Sequence, residues 1–232
     1  MNRESGLNIR NGRVAVTGGA GFIGSHLVDC LASGGCEILV VDDLSSGRLE
    51  NLAAYGGNPR VRLEFADIRD EAAVSRLLKG VDFVFHLAAR NVRLSLRRPG
   101  EVHDVNATGT LNLLKASAAA RVRRFLYCSS SEVNGAIAAG SPAPEDYCYR
   151  PETIYGASKL AGEYYTKVFH RSGWLDTVIV RPYNNYGPRA HFEGGRGEVI
   201  PRFILCAMAG KPLRIFGDGR QTRDFTYVCL LY

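Results

Sequence analysis

The sequence has no apolar run of the ~18 residues needed to span a bilayer, so no membrane-spanning helix is expected. Its N-terminal stretch, MNRESGLNIRNGR, is polar and lacks the apolar core of a secretory signal. A cytoplasmic protein is therefore expected. The six cysteines, at 30, 36, 128, 148, 206 and 229, form no C-x-x-C pair. That argues against a zinc ribbon or a thioredoxin-type motif, and no metal site is expected. Cys30, Cys128 and Cys206 lie in apolar stretches and are expected to pack as small, reduced core residues. Internal repeats and low-complexity linkers are also missing, which excludes a solenoid.

What the chain does have is a basic balance, with 29 Lys and Arg against 23 Asp and Glu. Such a balance can attract nucleic acid. Two arginine clusters stand out: Arg93, Arg97 and Arg98, and Arg121, Arg123 and Arg124. Neither is interleaved with aromatics or set in a nucleic-acid module, so both read as solvated faces. A field that draws in a dianionic small substrate explains the balance equally well. No nucleic-acid or membrane partner is expected.

The 232 residues suffice for one sizeable core, or one α/β domain plus part of a second. Short runs rich in Val, Ile, Leu and Phe recur: RVAVTG, EILVVD, VRLEFAD, DFVFHLAA, RFLYCSS and TVIVRP, with LRIFG as a shorter seventh. They show no polar alternation, which predicts buried strands covered on both faces. Helices are predicted between them over Phe22–Ala32, Glu71–Lys79, Ala107–Ala120 and Tyr155–Arg171. Strand and helix in alternation predict a doubly wound parallel sheet with helices on both faces. GAIAAGSPAPEDYCYRPET and NNYGPRAHFEGGRGE follow the fifth and sixth strands as long loops. Both leave carboxyl ends of strands, where open α/β sheets bind ligands.

TGGAGFIGSH follows the first strand and opens the first helix. It holds Gly19-x-Gly21-x-x-Gly24 and Gly18-x-x-Gly21-x-x-Gly24. Glycines there allow a tight turn and close approach of backbone to a pyrophosphate, which the helix N-terminus then receives. Asp42 ends the second strand, where a carboxylate accepts the adenosine ribose hydroxyls and repels a 2′-phosphate. NAD is thus favoured over NADP. Asp67, ending the third strand, reads either as an adenine contact or as the N-cap of the helix after it. YGASK puts Tyr155 and Lys159 one turn apart on one helical face.

Taken in order, TGGAGFIG, HLAA, SSS, YGASK, RPYNNYGPR and GDGRQTRDFTYV resemble the extended short-chain dehydrogenase/reductase family and, within it, its NAD-dependent nucleotide-sugar epimerases and dehydratases. The resemblance runs from about residue 12 to residue 228. It implies a Rossmann-type domain over 12–180 and part of a substrate-binding segment over 181–232, the remainder of a C-terminal lobe being absent after CLLY. It also implies that Tyr155 is the general base, that Lys159 lowers the Tyr155 pKa and holds the nicotinamide ribose, and that Ser130 bonds the reacting oxygen. The cofactor site implied takes Gly18, Gly21, Phe22, Ile23 and Gly24 from the first turn, Asp42 from the second strand, and Asp67 and Ile68 from the third. Leu87, Ala88 and Ala89 follow the fourth strand, and Asn106 starts the helix after it. Asn184, Val199 and Arg223 are implied for the nucleotide sugar, and a homodimer is compatible with the family.

The resemblance leaves the reaction open. Dehydratases of this kind carry Asp then Glu after the Ser or Thr, whereas SSSEVNG has Ser131 and then Glu132. The base is present and the acid is not, since a hydroxyl is a poor proton donor. Decarboxylases acting on glucuronate keep an arginine at the position of Arg189, and Asn134 stands where the family has Tyr. A 4-epimerase, with a transient 4-keto sugar, is the leading expectation. Dehydratase, decarboxylase and a non-catalytic NAD-binding protein are the alternatives.

Overall fold

A computed structural model describes residues 8–137, 142–194 and 197–231. Parts of both long loops lie outside the described residues. Six strands form one parallel sheet: β1 (Arg13–Thr17), β2 (Glu37–Asp42), β3 (Val61–Phe65), β4 (Phe83–His86), β5 (Arg124–Cys128) and β6 (Thr177–Val180). Their order is β3-β2-β1-β4-β5-β6, so the winding reverses between β1 and β4. Ligands of open parallel sheets bind outside the carboxyl ends at such a reversal.

Alternate residues of the central strands feed two separate cores. Val14, Val16, Ile38 and Val40 face one side, where Val28 and Leu31 of α1 (Phe22–Ser33) cover them. Ala15, Leu39, Val41 and Val84 face the other. There they meet α2 (Glu71–Leu77), α5 (Thr110–Ala119) and α6 (Ile154–Arg171), through Val74, Leu113, Leu114 and Phe169. Each such side chain, fully buried, contributes about 1.5–3 kcal/mol. The expectation of two covered faces holds for the middle of the sheet. It fails at the edges, where Phe65 on β3 and Val178 and Val180 on β6 are exposed. Cys36 is buried, whereas Cys30 is exposed and Cys128 and Cys206 are only partly covered, which corrects their assignment to the core.

The helix expected from Ala107 starts earlier. After α3 (Val92–Ser95), Pro99 sits in the first turn of α4 (Pro99–His103), a position that suits its missing N–H. A π-helical segment, Asp104–Gly109, then joins α4 to α5. LRIFG forms no strand: Leu213, Ile215 and Phe216 are exposed and lack a sheet partner. A small second sheet forms instead, with β7 (Asn184–Tyr186) parallel to β8 (Phe225–Tyr227). Between these two lies α7 (Val199–Met208). The segment after β7 docks on α1, where Pro188 O lies 3.0 Å from His26 Nε2 and Arg189 Nη1 donates to Asp29 at 2.8 Å.

Candidate active site

A cleft of about 1210 Å³ opens at the carboxyl ends of β1, β2, β4 and β5. Gly18, Gly21, Phe22, Ile23 and Gly24 line one wall. The turn they form is tied to the sheet, because Gly18 N–H donates to Val41 O at 2.8 Å. Gly18 has a φ of +71°, and a Cβ on it would meet Ala88 N at 2.7 Å. Glycine is required there on both counts. This tight cradle leaves backbone exposed to the cleft and fits a dinucleotide pyrophosphate.

Asp42 lines the cleft and is nearly buried. Its carboxylate accepts Ala20 N–H at 3.0 Å and Leu44 N–H at 2.9 Å. Burial raises its pKa, and these two hydrogen bonds act against that rise. Beside it Asp43 is joined to Arg90, whose guanidinium also donates to Glu101 at 3.0 Å and bonds Ser45. Burial favours the neutral Asp43, but the hydrogen bonds from Arg90 and Ser45 prevail and bring its pKa down to about 2. Asp67 and Ile68 also line the cleft. Asp67 is not a helix cap. Asp70 caps α2, accepting Ala73 N–H at 3.0 Å, and Asp67 pairs with Arg69.

Leu87, Ala88 and Ala89 line the cleft just beyond β4, over a buried hydrogen-bond chain. His86 Nδ1 lies 2.7 Å from Thr17 Oγ1 and Nε2 lies 2.8 Å from Thr110 Oγ1. Thr110 donates its single hydroxyl proton to Asn106 O at 2.6 Å. Nε2 must therefore carry the imidazole proton, and Nδ1 accepts from Thr17. Thr17 Oγ1 accepts Ala88 N–H at 3.3 Å, so the chain ends on the cleft wall. Asn106 is neither a helix cap nor a lining residue. From within the π-helical segment its amide bonds both Arg90 N–H and Arg90 O, at 2.8 and 3.1 Å. It holds the backbone that follows Ala89.

Burial depresses the His86 pKa well below 6.5, with the Lys159 charge adding to it. The folded state then refuses a proton that the unfolded state accepts below about pH 6.5. Stability is complete above that value and is lost as pH falls. Between pH 7.5 and 5.5 this residue alone therefore lowers stability as pH falls. Urea unfolding at the two pH values measures it, and His86→Gln should remove that part of the slope. The Asp43 contribution is lost separately and at lower pH, as pH falls through the carboxylate range toward its pKa of about 2.

Ser130, Glu132, Tyr155 and Lys159 line the cleft on the side of β5 and α6. Thr153 caps α6 by accepting Gly156 N–H at 2.9 Å, which fixes the start of the helix at Ile154, one residue before Tyr155. Ser130 begins a short turn, its hydroxyl accepting Glu132 N–H at 3.2 Å. Burial carries the Tyr155 phenol up to about 12, the Ser130 hydroxyl pulls it back, and Glu132 adds to the rise. Lys159 is nearly buried; its Nζ donates to Cys128 O at 2.6 Å and lies 4.8 Å from the centre of the Tyr127 ring.

Asn184 and Val199 line the opposite wall. Asn184 Nδ2 donates to Asp224 O at 3.0 Å, which joins β7 to β8. Arg223 is not among the lining residues. It is exposed and donates to Thr222 O at 2.7 Å. Arg189 is also excluded, being held against Asp29 on α1. Asn134 is buried below the cleft and donates to Tyr147 O and Cys148 O, at 3.0 and 3.2 Å, so it tethers the long loop. Sequence reasoning missed Arg90 and Glu198, and the Arg93, Arg97 and Arg98 cluster, expected as a solvated face, lines the cleft with them. Burial lifts Glu198 to about 7, against the charge of Arg93. Nothing in GRGEVIP marks that glutamate, because its environment comes from a distant helix. Among the described residues no group of His, Cys, Asp and Glu is arranged to hold a metal, and no helix is long and apolar enough to cross a membrane.

The model of the NAD dependent epimerase/dehydratase family matches residues 14–229. UDP-glucose 4-epimerase of Mycolicibacterium smegmatis is 38% identical over 218 residues, covering 93% of this chain and 69% of that protein. Among solved structures, UDP-N-acetylglucosamine 4-epimerase of Methanobrevibacter ruminantium, in complex with UDP-N-acetylmuramic acid, superposes with a TM-score of 0.88 at 38% identity, over 94% of this chain and 70% of that one. UDP-glucose 4-epimerase of Thermus thermophilus in complex with NAD gives 0.83 at 36% identity, over 93% and 70%. The glycine cradle, Asp42 and the YGASK helix thus sit in a fold shared over nearly all of this chain and about 70% of those relatives, and the chain belongs to the NAD-dependent epimerase/dehydratase family.

Proposed function

We propose that this chain is a nucleotide-sugar 4-epimerase, acting on a UDP-sugar by oxidising its C4 hydroxyl to a transient ketone and reducing it again from the other face. The observation that carries this reading is the convergence of Ser130, Glu132, Tyr155 and Lys159 on the cleft that the glycine cradle and Asp42 also line. The 12–180 unit would hold NAD and the 181–232 segment would contribute Asn184 and Val199 to the sugar nucleotide. NAD supplies the hydride acceptor of the first half-reaction and the donor of the second. Tyr155 takes the C4 hydroxyl proton and returns it, and Ser130 bonds the same oxygen. Lys159 holds the nicotinamide ribose.

Two features favour epimerisation over the other outcomes. Ser131 stands where a 4,6-dehydratase needs a carboxylic acid, and a hydroxyl cannot replace it as proton donor. Arg189, the residue that would have favoured decarboxylation, is committed to Asp29. The test is product analysis by NMR after incubation with NAD and UDP-glucose, UDP-glucuronate or dTDP-glucose. The 4-epimer of a UDP-sugar is expected. A 4-keto-6-deoxy sugar or a pentose as the main product would overturn the reading. A homodimer belongs to the same proposal, and light scattering reads it.

Cofactor choice gives a second check. Arg90, whose charge acts on Asp42, and Arg48, the next cation after Asp42 in sequence, already have partners: Arg90 pairs with Asp43 and Glu101, and Arg48 pairs with Glu193. A 2′-phosphate would meet the Asp42 carboxylate with no cation to spare. NAD should bind at least about tenfold tighter than NADP, a difference of about 1.4 kcal/mol. Calorimetric titration with both cofactors decides it, and equal affinities would remove Asp42 from the ribose site.

A further inference from the structure

The spacing that joins Tyr155 to Lys159 continues along α6 to Glu163 and Lys167. Residues four apart on a helix face each other across one turn, so the four side chains form a single stripe. Glu163 is fully buried. A buried carboxylate persists only when paired, and Arg181 pairs with it through both oxygens, at 2.6 and 2.8 Å. Lys167 Nζ stands 3.6 Å away. Burial pushes the Glu163 carboxyl up, but Arg181 outweighs it and holds the group below the usual range. The Ser129 hydroxyl also favours the ionised form. Arg181 further donates to Glu145 O at 2.8 Å and to the Tyr149 hydroxyl at 2.6 Å. It thereby anchors the loop that leads into the Thr153 cap.

Lys159 needs a counter-charge, because burial alone lowers its pKa. The titratable groups facing it are Cys128 and Tyr127 on β5, His86 on β4, and Tyr155 and Glu163 on α6. Burial raises the Cys128 thiol and both phenols above their ordinary values and depresses His86. Those four are therefore neutral near pH 7, and Glu163 is the standing negative charge of the set.

We propose that Glu163 is a positioning residue for the reacting centre: its buried carboxylate keeps the Lys159 ammonium protonated, and its pairing with Arg181 ties that charge to the loop entering α6. The catalytic consequence rests on the role given to Lys159 above, but the charge relation does not. The test is a pH titration of the whole chain carrying isotopically labelled lysine, followed by NMR, with Lys159 assigned through its missing signal in Lys159→Arg. Glu163→Gln keeps the shape and removes the charge. The Lys159 midpoint should fall by about one pH unit or more, a tenfold change in its acid dissociation constant. Should Glu163→Gln fail to fold around an unpaired Arg181, the double variant Glu163→Gln/Arg181→Gln removes the repulsion of Arg181 together with the attraction of Glu163, and should show a smaller fall in the same direction. An unchanged midpoint in either folded variant overturns the proposal. NAD affinity at alkaline pH should fall in step with the Lys159 midpoint. If the midpoint moves and NAD affinity does not, Glu163 keeps its role and the cofactor role of Lys159 is what fails.

Discussion

Tyr155→Phe should lower turnover of the accepted UDP-sugar by about two to four orders of magnitude, the range for loss of a positioned acid–base group. NAD affinity should stay within about twofold, since the variant loses a single hydroxyl at the reacting end of the cleft and leaves the cradle intact. The size of the effect follows from how the phenol is prepared. At about 12 its pKa is too high for a base at neutral pH, and burial is the main reason. Ser130 already opposes that rise. The remaining decrease must come from positive charge close to the phenol oxygen. Lys159, one turn along α6, would supply it in the reading proposed above, and its ammonium has N–H groups to spare beside the one bonded to Cys128 O at 2.6 Å. Phe cannot accept a proton at any pH, so no adjustment by Lys159 or Ser130 rescues the variant. Steady-state rates and NAD titration of the same preparation separate the two quantities. Normal turnover in Tyr155→Phe would remove the catalytic reading of the YGASK helix altogether.

The parts of this molecule that could be read from sequence are those decided locally. β1, β2 and β4 are short apolar runs in the middle of the sheet, and burial on both faces leaves an unbroken hydrophobic signal. The glycine turn and Asp42 lie within one strand–turn–helix–strand unit, so their spacing in sequence fixes their place in space. LRIFG carries the same kind of apolar run, yet it finds no strand partner and stays exposed. Composition alone cannot supply the neighbour that a strand needs. The helix from Pro99 was hidden because PGEVHDVN is mostly polar with no apolar stripe, and packing of Val102 and Val105 decides it. Long-range pairing was invisible too. Arg189 is spent on Asp29, 160 positions away, and Arg90 on Asp43, 47 positions away. Asn106, expected at the start of the helix after β4, instead grips the backbone of Arg90 from a π-helical segment, a distortion that often marks functional sites and has no sequence signature here.

Gly24→Ala should cost at least about a hundredfold in NAD affinity and about 1–3 kcal/mol in stability, the cost of forcing one extra carbon into a packed site. The added Cβ would stand 2.2 Å from Gly18 O, 2.8 Å from Gly19 Cα and 2.9 Å from Gly18 C. All three are backbone atoms, so no side chain can rotate aside to make room. The turn cannot retreat either. Gly18 N–H is bonded to Val41 O, Gly21 N–H to Gly18 O at 3.1 Å, and the far side of Gly18 rests against Ala88. Either α1 lifts away from β1 or the turn opens, and both displace the N–H groups that would meet a pyrophosphate. Gly100→Ala is the control. It lies in α4 with nothing within 4 Å of the new carbon, and alanine is the better helix former there by up to about 1 kcal/mol. That variant should bind NAD as the parent does. Calorimetry of both variants, with urea unfolding on each, gives a result that a general loss of folding cannot imitate. If Gly24→Ala remains folded and binds NAD like Gly100→Ala, the turn is not the cofactor cradle and the dinucleotide must lie elsewhere in the cleft.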